Sequence, residues 1–198
     1  NFKNKKYIVP KYDKNILIKE ANFFCDWYAK KILPKRKMKK FAKEFKKVIK
    51  KLALSLKLKN NIFVHRDFHV SNLIAHNKKI ALIDNQDAVY GNSAYDLASL
   101  IDDVRLKTSN TLKEKIFKYY LEKNKSINIK YFKNDFDILS VLRNIKIIGI
   151  FTRLSVRDNK HLYLKLIPYA WQLIESRINN NEVFKDLKLL FDNNFSKK

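Results

Sequence analysis

Three polar residues near the middle of the chain have the types and spacing needed for phosphoryl transfer. Asp67 is followed five residues later by Asn72, and Asp84 comes twelve residues after that. A hydroxyl group that attacks the terminal phosphate of a nucleotide needs a carboxylate to orient it and accept its proton, and it needs Mg²⁺ to neutralise the phosphate oxygens. Because Mg²⁺ takes oxygen ligands and few of them from protein, we predict Asp67 as the base and Asn72 and Asp84 as the metal ligands.

Short apolar runs around these residues predict the elements that position them. We expect a buried strand at 62–64 and a hairpin over 72–83. This arrangement places Asp67 and Asp84 at one end of the hairpin. The pattern H-R-D-x-x-x-x-N that begins at His65, followed by an apolar strand that ends in Asp, is the arrangement of the catalytic loop and metal-binding Asp in protein kinases.

Further runs along the chain resemble a known family. Residues 83–91 read IDNQDAVYG and residues 95–100 read YDLASL. Together with the catalytic pattern, they resemble the aminoglycoside phosphotransferase and choline kinase family. LRNIK at 142–146 and GIFTRL at 149–154 resemble one bacterial branch of it, the anomeric sugar kinases that act on N-acetylmuramate and N-acetylglucosamine. The resemblance extends from about Glu20 to the C-terminus.

The resemblance implies cofactors and roles for individual residues. It implies ATP as the phosphoryl donor, and it assigns the same base and the same Mg²⁺ ligands as the spacing does. It also assigns structural support of the site to His65 and Asp96, which would brace the catalytic loop. The family usually carries an aromatic residue directly after the metal-binding Asp, and this chain has Asn85 at that position.

Charged residues beyond the catalytic pattern are candidates for binding the acceptor. Asp103 and Arg105 match the sugar-kinase branch, and they either line the acceptor pocket or form a surface ion pair. Arg143, Arg153 and Arg157 lie on a predicted long helix. Their guanidinium groups suit a carboxylate such as the lactyl group of muramate, or they pair with neighbouring acids.

The favoured acceptor is the anomeric hydroxyl of N-acetylmuramate or N-acetylglucosamine, as in cell-wall sugar recycling. Choline, ethanolamine or an aminoglycoside is the alternative within the kinase class. A pocket for such cationic acceptors should show unpaired acids or aromatic walls. The arginines of the predicted long helix argue against this alternative.

The whole pattern predicts a mostly helical α+β fold, with a small β-hairpin at the catalytic site. We expect a single unit with a hinge or lobe remnant at 1–19, helices at 20–60, a catalytic core at 61–105 and a helical acceptor-side subdomain at 106–198. Apolar periodicity predicts helices at 21–30, 37–58, 94–104, 111–123, 134–156 and 183–191. Pro168 either breaks the segment around it or starts a helix as a first-turn residue.

The part of the chain before the catalytic pattern does not resemble a nucleotide-binding lobe. Kinase-like folds place the nucleotide between a β-rich lobe and a helical lobe, yet no Gly precedes Gly91, so no glycine-rich phosphate loop comes before Asp67. We therefore interpret the chain as the C-terminal lobe of a protein-kinase-like fold, with a missing N-terminal nucleotide lobe as its partner. A non-catalytic kinase-like fragment is the alternative.

Composition bounds the remaining function classes. The 198 residues are 46% hydrophobic and 13% aromatic, as in folded globular proteins. The net charge of +24 keeps a basic nucleic-acid-binding module as an alternative, but lysines occur in nearly every segment, which favours a solvated surface.

Cys25 is the only cysteine, so no intramolecular disulfide forms. With no apolar run long enough to span a bilayer and no visible signal peptide, we expect a cytoplasmic protein without a membrane partner.

Overall fold

The computed structural model describes residues 8–179 and 181–195, and in this part of the chain the fold is mostly helical. The helices, in chain order, are α1 Lys14–Ala21, α2 Lys30–Ile32, α3 Lys35–Leu54, α4 Tyr95–Ile101, α5 Asn110–Lys123, α6 Ile129–Asp158, α7 Ile167–Ile178 and α8 Lys185–Asn194. A π-helical turn at Phe24–Ala29 precedes α2, and 3₁₀ turns lie at Val70–Asn72, His161–Leu166 and Glu182–Phe184. The predicted mostly helical α+β class is confirmed.

Two small antiparallel strand pairs stand beside the helices. The strands are β1 Asn60–Val64, β2 Leu73–His76, β3 Lys79–Leu82 and β4 Val89–Asn92. β2 pairs with β3 as the predicted hairpin, and its register begins with Leu73 opposite Leu82. β1 pairs with β4. The sequence analysis predicted a strand at 62–64 but did not predict β4. Tyr12 donates its backbone N–H to the Tyr90 oxygen at 2.8 Å, so the N-terminal segment also reaches β4.

Helix α6 is the centre of the packing. It contacts the π-helical turn, α4 and α7, and most of its middle is buried. Gly149 allows the closest of these crossings, because a Cβ built on it would lie 2.3 Å from the carbonyl carbon of Phe23. No real side chain tolerates that distance, so this glycine lets α6 approach the backbone that follows α1.

The aromatic residues of α3 belong to the core. Phe41 and Phe45 are buried and pack on Phe24, which is buried too. They are therefore unavailable as a platform for stacking nucleic-acid bases. In the described part of the chain, no helix combines the length and apolarity needed to cross a membrane.

Helix starts were the least accurate sequence predictions. The helix expected at 21–30 is divided, because α1 starts at Lys14 and a π-helical turn follows it. The side chain of Asp13 caps α1 by accepting a hydrogen bond from the Ile16 N–H at 2.9 Å. The segment 1–19, expected as a hinge or lobe remnant, therefore contributes part of a helix, and residues 1–7 lie outside the described residues.

The long helix also starts earlier than expected. Asn128 caps α6 by accepting a hydrogen bond from the Tyr131 N–H at 3.0 Å. Asn134, where the helix was expected to begin, lies inside it and donates to the main-chain oxygen of Ser55 at 3.1 Å. Pro168 lies in the first turn of α7, so the second of its two predicted roles is correct.

Candidate active site

The catalytic loop runs from the end of β1 into β2, and Asp96 holds its first residues. One Asp96 carboxylate oxygen accepts the His65 N–H at 2.7 Å, and the other accepts the Arg66 N–H at 3.1 Å. Burial raises the pKa of the Asp96 carboxyl, while the two backbone hydrogen bonds act in the opposite direction. These bonds fix the backbone directly before Asp67.

His65 joins the catalytic loop to the hairpin. Its buried imidazole places Nε2 3.0 Å from the main-chain oxygen of Ile83, and its ring meets Phe68 edge-on. A carbonyl oxygen only accepts hydrogen bonds, so Nε2 is the donor. The two supporting residues that the resemblance assigned, His65 and Asp96, thus both contact the loop or the hairpin directly.

The loop turns tightly around Asp67. The main-chain oxygen of Asp67 accepts hydrogen bonds from the His69 N–H at 3.0 Å and from the Asn72 side-chain amide at 2.9 Å. Asp67 as a whole is half-buried. Arg66, directly before it, has a left-handed backbone with φ of 71°, which non-glycine residues seldom adopt.

Asn72 and Asp84 lie at the same end of the hairpin. The Ile83 N–H donates to the main-chain oxygen of Asn72 at 3.1 Å, which continues the β2–β3 ladder by one pair. Asp84 follows Ile83 directly. Because the Asn72 amide nitrogen binds the Asp67 oxygen, its amide oxygen is the atom left for a metal. Asp84 is exposed, and one of its oxygens accepts from Gln86 at 2.7 Å. An amide oxygen and a carboxylate are the hard donors that Mg²⁺ takes from protein, so the pair fits this ion.

His69 is buried on the other side of the loop. Within the described residues, no group of three or more His, Cys, Asp or Glu side chains is arranged to hold a metal ion, so His69 has no such partners. Burial lowers the pKa of its imidazole, with Arg105 adding to the effect. It is a neutral loop side chain at neutral pH.

Asp103 and Arg105 are brought to the catalytic loop. Asp103 is buried, and its carboxylate accepts the Val70 N–H at 3.1 Å and the Arg105 guanidinium at 3.1 Å. A buried acid bonded to the loop is not part of a surface ion pair. The ion pair between Asp103 and Arg105 forms, as one of the two readings expected, but its acid is buried and Arg105 is only partly exposed. A role of the pair in binding the acceptor stays a prediction.

Arg143, one of the three arginines that the sequence offered for binding the acceptor, is buried in the middle of α6. It is only 4% exposed, and its Nη1 has no hydrogen-bond partner among the described residues. Burial lowers its pKa, and Tyr95, Asp103 and Asp67 are among the charged or polar groups that act on it. The buried Arg143 guanidinium is therefore within electrostatic range of the predicted base.

The other two arginines of α6 have different neighbours. Arg153 lies over the ring of Phe23 at 5.2 Å, and Arg157 is paired with Asp158 through Nε at 2.7 Å. With a rise of about 1.5 Å per residue, Arg157 lies roughly 21 Å along the helix from Arg143. The structure therefore bonds Asp103 to the loop and Arg105 to Asp103. It pairs Arg157 with Asp158, which is the alternative that the sequence left open for these arginines.

Apolar side chains lie exposed around the hairpin and the β1–β4 pair. Ile80 is 72% exposed and Phe63 57%. The other exposed large apolar side chains of these strands and of the segment after β3 are Ile62, Ile74, Leu82, Ile83 and Tyr90. We call this set the hairpin surface. Ile74 pairs with Ala81 and Ile80 pairs with Ala75, so the exposed residues of the hairpin lie on both of its faces. Exposed apolar surface can mark an interaction site.

Comparison with known proteins agrees with this geometry. A model of the phosphotransferase enzyme family, APH, matches residues 10–127, which include the catalytic loop, the hairpin, Asp103 and Arg105. The chain belongs to this family. The resemblance that its motifs indicated is thereby confirmed.

The chain is also similar to curated kinases from several bacteria. It is 30% identical over 167 residues to the N-acetylmuramate/N-acetylglucosamine kinase of Neisseria meningitidis serogroup B, covering 81% of this chain and 50% of that protein. The kinases of the same name from Pseudomonas aeruginosa and Pseudomonas putida are both 28% identical, over 86% and 90% of this chain and 52% and 55% of their own lengths. The chain spans about half the length of the curated relatives it matches.

Proposed function

We propose that the protein carrying this chain transfers the γ-phosphoryl group of ATP to the anomeric hydroxyl of N-acetylmuramate or N-acetylglucosamine. The observation that carries this proposal is the arrangement of the catalytic loop against the hairpin. Asp67, Asn72 and Asp84 belong to segments that are hydrogen-bonded to one another. Family membership and the names of the relatives support the reaction class and the acceptor.

Each of these residues has one task in the proposed reaction. Asp67 accepts a hydrogen bond from the acceptor hydroxyl and orients it toward the γ-phosphorus. It takes the hydroxyl proton as the new O–P bond forms and the bond from the γ-phosphorus to the leaving ADP oxygen breaks. Asn72 and Asp84 would hold Mg²⁺, which would supply positive charge to neutralise the phosphate oxygens of ATP. Asp96 and His65 keep the loop and the hairpin in register, so that base and metal ligands act on the same group.

The charges near the base favour an acceptor that is neutral or anionic. Arg105 is paired with Asp103, which is bonded to the catalytic loop, and the buried Arg143 interacts electrostatically with Asp103 and Asp67. A carboxylate, such as the lactyl group of N-acetylmuramate, would be attracted by these guanidinium groups. A cationic acceptor such as choline would be repelled by them, so we do not propose it.

We further propose that the chain is the C-terminal lobe and that the hairpin surface packs against an N-terminal lobe that holds the nucleotide. The support is the exposure of Phe63 and Ile80, together with a match to only about half of the relatives' length. Replacing Ile80 by Lys should weaken ATP binding by the full-length gene product, since a buried charge would oppose packing. Unchanged binding would contradict this arrangement.

A turnover assay on the full-length gene product tests the function. With ATP, Mg²⁺ and either amino sugar, phosphorus NMR should show an anomeric sugar phosphate that forms catalytically. If neither sugar is phosphorylated while choline or an aminoglycoside is, the acceptor is wrong. If nothing is phosphorylated, the full-length protein is not a kinase for these acceptors and the non-catalytic alternative is favoured. DNA binding that falls steeply with salt would instead support the nucleic-acid alternative.

A further inference from the structure

Glu20, near the end of α1, is the centre of a buried polar cluster beneath the catalytic loop. Its carboxylate accepts hydrogen bonds from the Tyr12 hydroxyl, from Arg66 Nη2 at 2.7 Å and from Lys146 Nζ at 3.0 Å. The side chains of Glu20 and Lys146 are each 14% exposed. Tyr12 also bonds the hydroxyl of Tyr95 at 3.2 Å. We call these five residues the Glu20 cluster.

The charges in the cluster favour ionised side chains despite burial. Burial alone would raise the pKa of Glu20, but the Lys146 ammonium and the Tyr12 hydrogen bond hold it below its ordinary value. Burial alone would lower the pKa of Lys146, but Tyr95 and Glu20 raise it. The Glu20 carboxylate is therefore charged at neutral pH and binds two cations at once.

One of those cations is the guanidinium of Arg66, a residue of the catalytic loop. Arg66 directly precedes the predicted base in the sequence. Arg66 has the left-handed backbone described above, and Asp67 is the next residue. A left-handed conformation at a non-glycine residue persists only where its surroundings hold it. The Asp96 carboxylate holds the Arg66 N–H, while Glu20 holds its guanidinium and the Tyr12 ring lies 5.1 Å from it. Asp96 thus binds the backbone of Arg66, and Glu20 binds its side chain.

We propose that Glu20 is a positioning residue for the catalytic base. By binding Arg66 and Lys146 together, it holds Arg66 in the left-handed conformation, and this turns the Asp67 carboxylate toward the acceptor hydroxyl. The proposal rests on the proposed function for the identity of the base. It adds that a residue 46 positions before Arg66, on helix α1, sets the geometry of the loop.

Glu20→Gln in the full-length gene product tests this role. The amide keeps the shape of the side chain but cannot bind two cations as an anion. Since small displacements of a catalytic group cost up to about 10²-fold in rate, we expect kcat to fall roughly 10-fold or more, with KM for ATP within about twofold. The matched control is Asp186→Asn, which removes an acid from an exposed ion pair with Lys51 and should leave both parameters unchanged.

Two further measurements separate positioning from general stabilisation. Hydrogen exchange at the amides of His65, Arg66 and Asp67 should rise in folded Glu20→Gln and not in Asp186→Asn. If Glu20 acts through Arg66, then adding Arg66→Met to Glu20→Gln should cause little further loss of kcat. Arg66→Met alone replaces Glu20→Gln as the test variant if the latter does not fold, with the same expected rise in exchange at His65 and Asp67.

The outcomes for the positioning role and for the proposed function are distinct. Unchanged exchange at these amides in a folded variant overturns the role of Glu20, whether or not the protein is active. Unchanged kcat in an active protein overturns it too. Absence of turnover in the unmodified protein overturns the proposed function instead, and the exchange measurement still decides whether Glu20 holds the loop.

Discussion

His65 Nε2 donates a hydrogen bond to the main-chain oxygen of Ile83 at 3.0 Å, and so connects the loop that carries the base to the strand end that carries Asp84. Both residues are neighbours of the groups that we propose for catalysis. The bond therefore sets the distance between the base and the metal site through two backbone segments, and it explains why a buried His belongs two residues before Asp67.

Replacing Asp67 by Asn should lower kcat by about 10² to 10⁴-fold, the usual contribution of a general base. The amide retains the size of the side chain and does not accept the proton. Binding of ATP, measured by titration calorimetry, should change little, because Asp67 contacts the acceptor. Asp186→Asn is the control. Turnover equal to that of the unmodified protein would remove Asp67 from the mechanism.

Replacing Asp84 by Ala should abolish the Mg²⁺ dependence of nucleotide binding. Asp84 supplies the only carboxylate of the proposed metal pair, and few protein ligands hold this ion. A Mg²⁺ titration of ATP affinity makes the measurement. Asp192→Ala, at an exposed ion pair with Lys188, is the control and should retain the dependence. A titration curve that Asp84→Ala leaves unaltered would contradict the assignment.

Replacing Arg105 by Met should change acceptor preference. Arg105 is partly exposed beside Asp103 at the loop, and a hydrogen bond to a charged group contributes about 1.5–3 kcal/mol. We expect KM for N-acetylmuramate to rise roughly 10-fold or more, while N-acetylglucosamine, which has no carboxylate, is affected less. Arg157→Met, at the far end of α6, should not discriminate. Equal effects on both sugars would show that Arg105 does not recognise the carboxylate.

The pH dependence of stability should reveal the Glu20 cluster. The folded protein holds the pKa of Glu20 below the ordinary 4.5, so the unfolded state binds more protons between these two values. Ionised Glu20 therefore stabilises the fold above pH 4.5, and this contribution is lost as pH falls through the folded-state pKa. The difference in unfolding free energy between the unmodified protein and Glu20→Gln should be largest near neutral pH and shrink in acid. Urea titrations from neutral to acid pH measure it, and a constant difference would contradict it.

The two glycines offer a matched test of packing. A Cβ at Gly149 would lie 2.3 Å from the Phe23 carbonyl carbon, whereas one at Gly91 would meet the Val64 side chain at 3.1 Å. Overpacking typically costs about 1–3 kcal/mol, and backbone yields less than a side chain. We expect Gly149→Ala to lower the melting temperature clearly more than Gly91→Ala. The reverse order in a calorimetric scan would refute the crossing of α6 over Phe23.

The sequence by itself determined the central site. The pattern from His65 to Asp84 lies within one short stretch, and its alternating apolar runs and polar turn specify a hairpin through local contacts. Asn72 and Asp84 were therefore predictable as neighbours before any fold was known. The family could be inferred from the same stretch, because its chemistry is set by residue types at fixed spacing.

Only the tertiary structure decided what holds that stretch. Strand β4 has no strong local pattern and becomes a strand because β1 lies beside it. Glu20 and Lys146 are 126 positions apart and meet only because α6 packs against the N-terminal segments. Such contacts depend on how helices cross, which no short window of residues encodes, and the same holds for the burial of Arg143. Local periodicity specified the catalytic motif, and long-range packing selected the residues that support it.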